Sequence, residues 1–301
     1  MDIESIRTFL SIAQLGGFTR AARHLHRSQP AISRRIGLIE HELGAPLLER
    51  VRGGVRLTEA GKVFLPFAET ALAAIKDGRD AVRASVNEEA GDVSLALVGT
   101  LADTQIVDVL RKFGRRSKSS SLDIRTASSQ EVSDLVRRGE VMLGLRYFAD
   151  ARPEITLRVV GEERMLVVCA ADHRLAKVRA RKTDLRDERW IGFPVARGRE
   201  SFGYVLSRQL AAAGLDDAKV SVIDSLTAQK RLVEAGFGIA LVPESSVRDE
   251  LRLGSLAEID APAIRTSIPI ALIHRREGYL NTAARTLIDL LDRRTGSSRK
   301  K

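Results

Sequence analysis

Apolar residues in the first 58 positions recur at helical spacing and then switch to alternation. Ile3, Ile6, Phe9, Leu10 and Ala13 lie three and four apart, which predicts an amphipathic helix from Ile3 to Leu15. Gly16-Gly17 ends it. A second, short helix turns Ala21, Ala22 and Leu25 inward, with Thr19 as its expected cap. A third starts at Ser28, a good N-cap, and places Gln29 and Pro30 in the first turn, where the missing proline N–H costs nothing. Ile32, Ile36, Ile39 and Leu43 then form one stripe, and Gly44 stops the helix. Val51, Val55 and Leu57 around Gly53-Gly54 read as a small hairpin. Beyond Thr58, residues Ala60, Phe64, Phe67, Ala71, Ala74, Gly78 and Ala81 step by four and three. That is a seam of small and aromatic residues on one long helix, with a kink expected at Pro66. Either the helix packs on its own domain, or the seam (Phe64, Phe67, Ala71, Ala74) pairs two subunits.

After "NEEAG" strands and helices alternate. "DVSLALVG" reads as a strand, followed by a helix over Leu101–Phe113; "SLDIRTA", "QEVSDLVRRG" and "VMLGLRY" continue as strand, helix, strand. A second unit is expected from Gly161, with strands "MLVVCAA", "RWIGF", "KVSVID" and "GIALVP" and helices at Ser201–Ala213 and Leu226–Ala235. The final strand "IPIALIH" and the helix Leu280–Leu291 complete the pattern of the first unit. Such alternation implies a mostly parallel, covered sheet.

Burial does not explain the polar side of the third helix. Pro30, Arg34, Gly37 and His41 lie opposite its apolar stripe, with Ser33 at the flank. Residues 20–57 hold eight arginines against three glutamates, a net +5 of the chain's +10. A local basic patch suits a polyanion, although a solvated surface would show the same charge. Two helices joined by a tight turn, the second with a small, cationic N-terminal face, follow the helix-turn-helix plan. Its face, Thr19, Arg27, Ser28, Gln29, Pro30, Ser33 and Arg34, has the chemistry to meet base edges and phosphates. Arg52 and Arg56 would make the hairpin a basic wing. The alternative is a three-helix bundle whose polar face is merely wet. With aromatic residues at only 4%, a base-stacking platform for single strands is disfavoured.

In the C-terminal part, Ser or Thr stands at three strand-to-helix junctions: Thr100 (beside Leu101), Ser128-Ser129, and Ser225 with Thr227. Ligands of open α/β sheets sit outside the strands' carboxyl ends, and helix N-terminal amides suit an anion. Routine capping is the plainer reading of any one junction. Arg146, Arg197 and Phe202 are further candidates for such a cleft. The single cysteine, Cys169, lies in an apolar run, so neither a disulfide nor a cysteine-rich metal site is expected. No HExxH, GxSxG or phosphate-binding glycine loop occurs, the five histidines are scattered, and neither enzyme activity, a metal nor a cofactor is expected. "MDIESIRTFL" lacks the basic and apolar regions of a signal peptide, and no apolar run could span a membrane. A cytoplasmic protein is expected.

Residues 1–61 resemble the DNA-binding end of LysR-type transcriptional regulators. The matching residues are Phe9, Phe18, Thr19, Ala21-Ala22, Leu25, "SQPAIS" (Ser28–Ser33), Ile36, Glu40, Leu43-Gly44, Leu47, Arg50, Gly54 and "LTEAG" (Leu57–Gly61). "SQEVSDLVRRGEVMLGL" and "LVEAGFGIALVPE" are similar to phrases of that family's effector domain, so the likeness runs to about residue 292. Gly17 and Gly37 depart from it, standing where a serine and a long basic residue are usual. The resemblance implies an α/β protein with an N-terminal winged helix-turn-helix (1–58), a linker and dimerisation helix (59–89) and a periplasmic-binding-protein-like effector domain (90–293). That domain comprises subdomain I (90–160 with 266–293) and subdomain II (161–265), and a basic tail (294–301) is expected to be disordered. It also implies a homodimer or homotetramer on double-stranded DNA of approximate dyad symmetry, with a small effector, expected to be anionic, held between the subdomains. A soluble solute-binding protein of periplasmic type with no DNA role is the rival. It accounts for residues 89–292 but not for the helices before them.

Overall fold

The computed structural model describes residues 1–87, 91–117, 119–195 and 201–298. The N-terminal helices are α1 (Ile3–Leu15), α2 (Phe18–His24) and α3 (Gln29–Leu43). Asp2 caps α1 by accepting the Ser5 amide, and Gly16, at φ +65°, ends it. The cap of α2 is Gly17, without a side-chain hydrogen bond, and Thr19 is already inside the helix. The expected Thr19 cap is thus corrected. Ser28 caps α3 through the Ala31 amide, with Pro30 in the first turn. Phe9, Ile12, Ala21, Ile32, Ile36 and Ile39 close a small core whose side chains are almost wholly buried.

The hairpin β1 (Leu48–Val51) and β2 (Gly54–Leu57) pairs antiparallel. Two contacts fix it. Glu40 of α3 accepts the Leu47 and Leu48 amides at 2.7 and 3.1 Å. The Val55 amide donates to Gly16 O, where a Cβ at Gly54 would lie 2.7 Å from that oxygen. Helix α4 (Glu59–Asn87) then runs without a break through Pro66. Its start is capped by Thr58, whose hydroxyl accepts the Gly61 amide and donates to Pro46 O.

The rest is one twisted sheet with helices on both faces. In chain order its elements are β3 (Val93–Leu97), α5 (Ile106–Arg116), β4 (Leu122–Thr126), α6 (Ser129–Arg137), β5 (Leu143–Tyr147) and β6 (Ile155–Ala170), then α7 (Lys182–Arg186), β7 (Trp190–Gly192), α8 (Phe202–Ala212), β8 (Val220–Val222), α9 (Leu226–Glu234), β9 (Ile239–Pro243), α10 (Arg248–Leu253), β10 (Leu256–Ile259), β11 (Thr266–Arg275) and α11 (Thr282–Ser298). The strands lie in the order β4-β3-β5-β11-β6-β9-β7-β8, with β10 also on β6. Pairings among β3, β4 and β5, and among β7, β8 and β9, are parallel; β6 and β11 run against their neighbours.

Several expectations change here. "MLVVCAA" does not begin a separate strand: it is the second half of β6, whose first half pairs β11 and whose second half pairs β9 and β10. The expected helix over Leu101–Phe113 splits into a 3-10 turn, Gly99–Asp103, and α5. The α5 amide of Ile106 donates to the Thr104 hydroxyl at 3.2 Å, while the cap position of that helix is Gln105, which makes no side-chain cap hydrogen bond. Helix α11 continues to Ser298, through most of the tail expected to be disordered; residues 299–301 lie outside the described residues. No helix among the described residues is long and apolar enough to cross a membrane.

Candidate functional site

The first candidate surface is the N-terminal half of α3 with the wing. Thr19, Arg27, Ser28, Gln29, Pro30, Arg34 and Arg52 are all exposed, and Ser33 is half-buried. Arg27, Arg34 and Arg52 make no ion pair among the described residues. Four other arginines are used inside the domain. Arg35 lies 3.6 Å from Asp2, Arg20 donates to Gly16 O, Arg50 stacks over Phe18, and Arg56 pairs with Glu49 at 2.8 Å across the hairpin. Arg23 is likewise exposed without an ion pair among the described residues, and Arg27 stands just before the N-terminus of α3, an end that favours phosphate oxygens. Gly37 follows on the same face, and open space surrounds it: a Cβ built there meets no atom within 4 Å.

Helix α4 divides the predicted seam. Phe64 packs on Phe9, with ring centroids 5.2 Å apart, and Ala71 joins the same core. Both are occupied within their own chain, because α4 must cover the open side of the three-helix core. Phe67 is 68% exposed, Ala74 is exposed, and Val63 and Val82 extend the same face at 67% and 62%. The free apolar stripe is therefore Val63, Phe67, Ala74 and Val82, rotated from the spacing read in the sequence.

The second candidate is a cleft where the carboxyl ends of two sets of strands oppose. One side carries the ends of β3, β4 and β5; the other carries the ends of β7, β8 and β9. The 3-10 turn at Gly99–Asp103 packs against the turn Glu244–Val247, joining the two sides. Thr100 is half-buried and donates to the Tyr147 hydroxyl at 3.4 Å. Ser128 forms a capping box with Glu131, so its hydroxyl is engaged, while Ser129 opens α6. Ser225 caps α9, and Thr227 stands exposed in its first turn. Phe202 starts α8 beside its cap Ser201. Arg197 lies outside the described residues.

Two candidates are buried. Leu101 is fully buried in the main core, so its side chain does not reach the cleft. Arg146 is 1% exposed and points to the opposite face of β5 from Tyr147, as strand alternation requires. There it meets Ser133 of α6 at 2.6 Å and Asp150 at 2.8 Å. Burial alone would raise the Asp150 carboxyl, but Ser133, the Arg152 amide and the Arg152 and Arg146 guanidiniums together hold it below the usual carboxylate range. Arg146 thus anchors α6.

Sequence reasoning missed the aromatic bridge across this cleft. Phe202 lies 5.1 Å from Tyr147, 5.9 Å from Phe148 and 5.4 Å from Phe193. Phe148 holds a φ of +66°, rare for a residue with a side chain. Glu163, buried on β6 and accepting the Ser245 amide at 2.9 Å, was missed as well; burial pushes its carboxyl above the usual range. Burial likewise raises the Tyr147 phenol. Scarce aromatics that fall just after strand ends were the available signal.

Comparison with known proteins matches these two parts separately. Residues 3–62 match the family model of the bacterial regulatory helix-turn-helix protein, lysR family, and residues 87–296 match that of the LysR substrate binding domain. The chain is 28% identical to the HTH-type transcriptional regulator TfdS of Cupriavidus pinatubonensis, over 98% of this chain and 99% of that one. Full-length CbnR, solved in complex with its target DNA, superposes with a TM-score of 0.66 at 25% identity, covering 98% of this chain and all of that one. Full-length OxyR from Pseudomonas aeruginosa shares the fold with a TM-score of 0.71 at 22% identity, over 98% of this chain and 94% of that one. The chain belongs to the LysR family: it is a DNA-binding transcriptional regulator with a helix-turn-helix domain and an effector-binding domain.

Proposed function

We propose that the amino-terminal face of α3 reads a major groove through Gln29, Ser33 and Arg34, while Thr19, Arg27, Ser28, Arg52 and Arg56 hold the flanking phosphates and Pro30 lets the helix end approach the bases. One observation carries this reading: Arg27, just before the cap of α3, and Arg34, in its second turn, are exposed and make no ion pair among the described residues. Two chains pair along the free stripe of α4, centred on Phe67 and Ala74. Pairing of that kind sets two recognition helices on successive grooves of a site with approximate dyad symmetry. The division into a DNA-binding domain (1–58), linker (59–89) and effector domain (90–293) belongs to the same proposal.

The effector sits in the cleft between the two sets of strand ends, against Thr100, Ser129, Phe202 and Thr227. Its anionic character rests on the first-turn amides of α6 and α9. Binding there favours one arrangement of the two subdomains, and only its differential affinity for that arrangement can alter DNA binding.

Competition binding to duplexes mutated one base at a time tests the groove assignment. Arg34→Ala is expected to weaken the preferred duplex by about 1–3 kcal/mol and to flatten discrimination at one position. Equal weakening on every duplex would make Arg34 a phosphate contact. For the cleft, small carboxylates are expected to raise the melting temperature of the parent and not of Thr100→Val, whereas amines of matched size leave both unchanged.

A further inference from the structure

The helix-turn-helix domain holds only part of the chain's positive charge. Two further stretches, 111–118 and 293–301, carry five Lys or Arg each and no acid, so together they match the net +10 of the whole chain. They are far apart in sequence and adjacent in the fold. The first is the carboxyl end of α5, and the second overlaps α11, which packs against α5. Lys112, Arg115, Arg116 and Arg293 are exposed, and none makes an ion pair among the described residues. Arg116 and Arg293 line one surface cup of about 390 Å³, which Ser117 and Ser119 share. The acid in its wall is Asp289; the next acid of α11, Asp292, is taken by Arg158 at 2.8 Å. The dipole of α5 accounts for basic residues in its last turn, where Arg115 and Arg116 stand. It does not account for Arg293, which comes from another helix. The patch lies at the amino ends of β3 and β4, where Ser121 O accepts the Val93 amide at 2.9 Å and Asp92 accepts the Ser121 amide at 2.9 Å. At that end α4 delivers the chain from the DNA-binding domain; the cleft lies at the opposite, carboxyl ends of these strands.

We propose that this patch is a second, sequence-independent contact with duplex DNA, made to phosphates outside the segment that the helix-turn-helix reads. Charge complementarity names the partner. A chain that works on a duplex holds its other domain near a dense row of phosphates, and guanidiniums bond phosphate oxygens in pairs. The one aromatic residue of the two stretches, Phe113, is wholly buried, so no ring is offered to an unstacked base and a single strand is the poorer fit. Contacts of this kind add affinity and salt dependence without base preference. The patch rests on the chain's binding of DNA, and neither on the base assigned to Arg34 nor on the cleft.

Salt dependence on two duplexes tests it with the full chain. The parent first selects its preferred sequence from a randomised duplex pool. That sequence is then presented in a duplex covering the selected site alone, and in one extended by about three helical turns on either side. Each phosphate neutralised steepens the fall of log affinity with log salt by about 0.9. The parent is expected to fall more steeply on the extended duplex, by about 2–3 in slope. Arg115→Gln/Arg116→Gln/Arg293→Gln is expected to abolish that difference while binding the short duplex as the parent does. Arg115→Lys/Arg116→Lys/Arg293→Lys, which keeps the charge, is expected to retain it. Equal slopes for the parent on the two duplexes overturn the proposal, and so does a glutamine variant that keeps the parent's difference or a lysine variant that loses it. A glutamine variant that sediments as a smaller assembly gives the patch to subunit pairing and overturns it as well.

Discussion

At the scale of single residues, Gly37 and Asp150 make opposite cases. Gly37 sits in an exposed helix interior with open space where a side chain would go. Gly37→Ala is therefore expected to stabilise the protein by about 1 kcal/mol, read from urea unfolding, with no loss of DNA binding. If binding falls with that substitution, the close approach of backbone to DNA is what the glycine provides. Asp150 is buried against Arg146, a guanidinium that is 1% exposed. Asp150→Asn removes a charged partner shared by Arg146 and Arg152 and is expected to cost about 1–3 kcal/mol. A melting temperature within error of the parent would contradict this. Cys169, fully buried on β6 with its thiol raised by burial to about 11, is expected to resist thiol reagents in the native chain and to react at once in denaturant.

Elements show where periodicity suffices and where it does not. Helices α1 and α3 were legible because each carries an apolar stripe and ends on a glycine in the left-handed region, and α3 adds the capping Ser28; the Asp2 cap of α1 went unread. The cap of α2 was not, because Gly17 offers no side chain to recognise and Thr19 imitates one. For α4 the stripe was found but its orientation was not. A 4,3 repeat does not tell which half of a wide apolar surface faces its own domain. Phe67→Glu and Phe64→Glu separate the two faces. The first is expected to leave a folded chain that sediments as a smaller species; the second is expected to unfold the N-terminal domain, because Phe64 packs on Phe9. Dissociation by Phe64→Glu with retained fold would reverse the assignment. In the cleft, the capping serines at Ser128 and Ser225 were legible, while Tyr147, Phe148 and Phe193 were not: their meeting around Phe202 depends on two strand ends brought together from either side of the cleft.

Across the whole molecule, the acid response follows from carboxylates held in their charged form. The Ser121 hydroxyl and amide hold Asp92 below the usual range, and Asp150 is held down by the partners named above. A depressed carboxylate contributes its stability above the unfolded value, near 3.8 for aspartate, and loses it as pH falls through the lower folded value. Thermal stability is expected to be level from pH 7 to about pH 5 and to fall below about pH 4. A steep loss already at pH 6 would point to histidines instead. Net charge of +10 adds repulsion as the acids neutralise.

The pairing of β11 with β5 also sets a timetable. Tyr147 finds its partner only in Ile270, and the edge of β5 beside it stays open until that residue has been made. At roughly 5–20 residues per second, the ribosome takes on the order of 6–25 s to cover the interval. During that time the nascent chain carries an apolar strand paired with β3 on one side and open on the other, the kind of edge that recruits another copy. Cells making the protein quickly are expected to accumulate insoluble chains, and slowing synthesis by lowering temperature to recover them; a soluble fraction independent of synthesis rate would show that the waiting strand is sheltered.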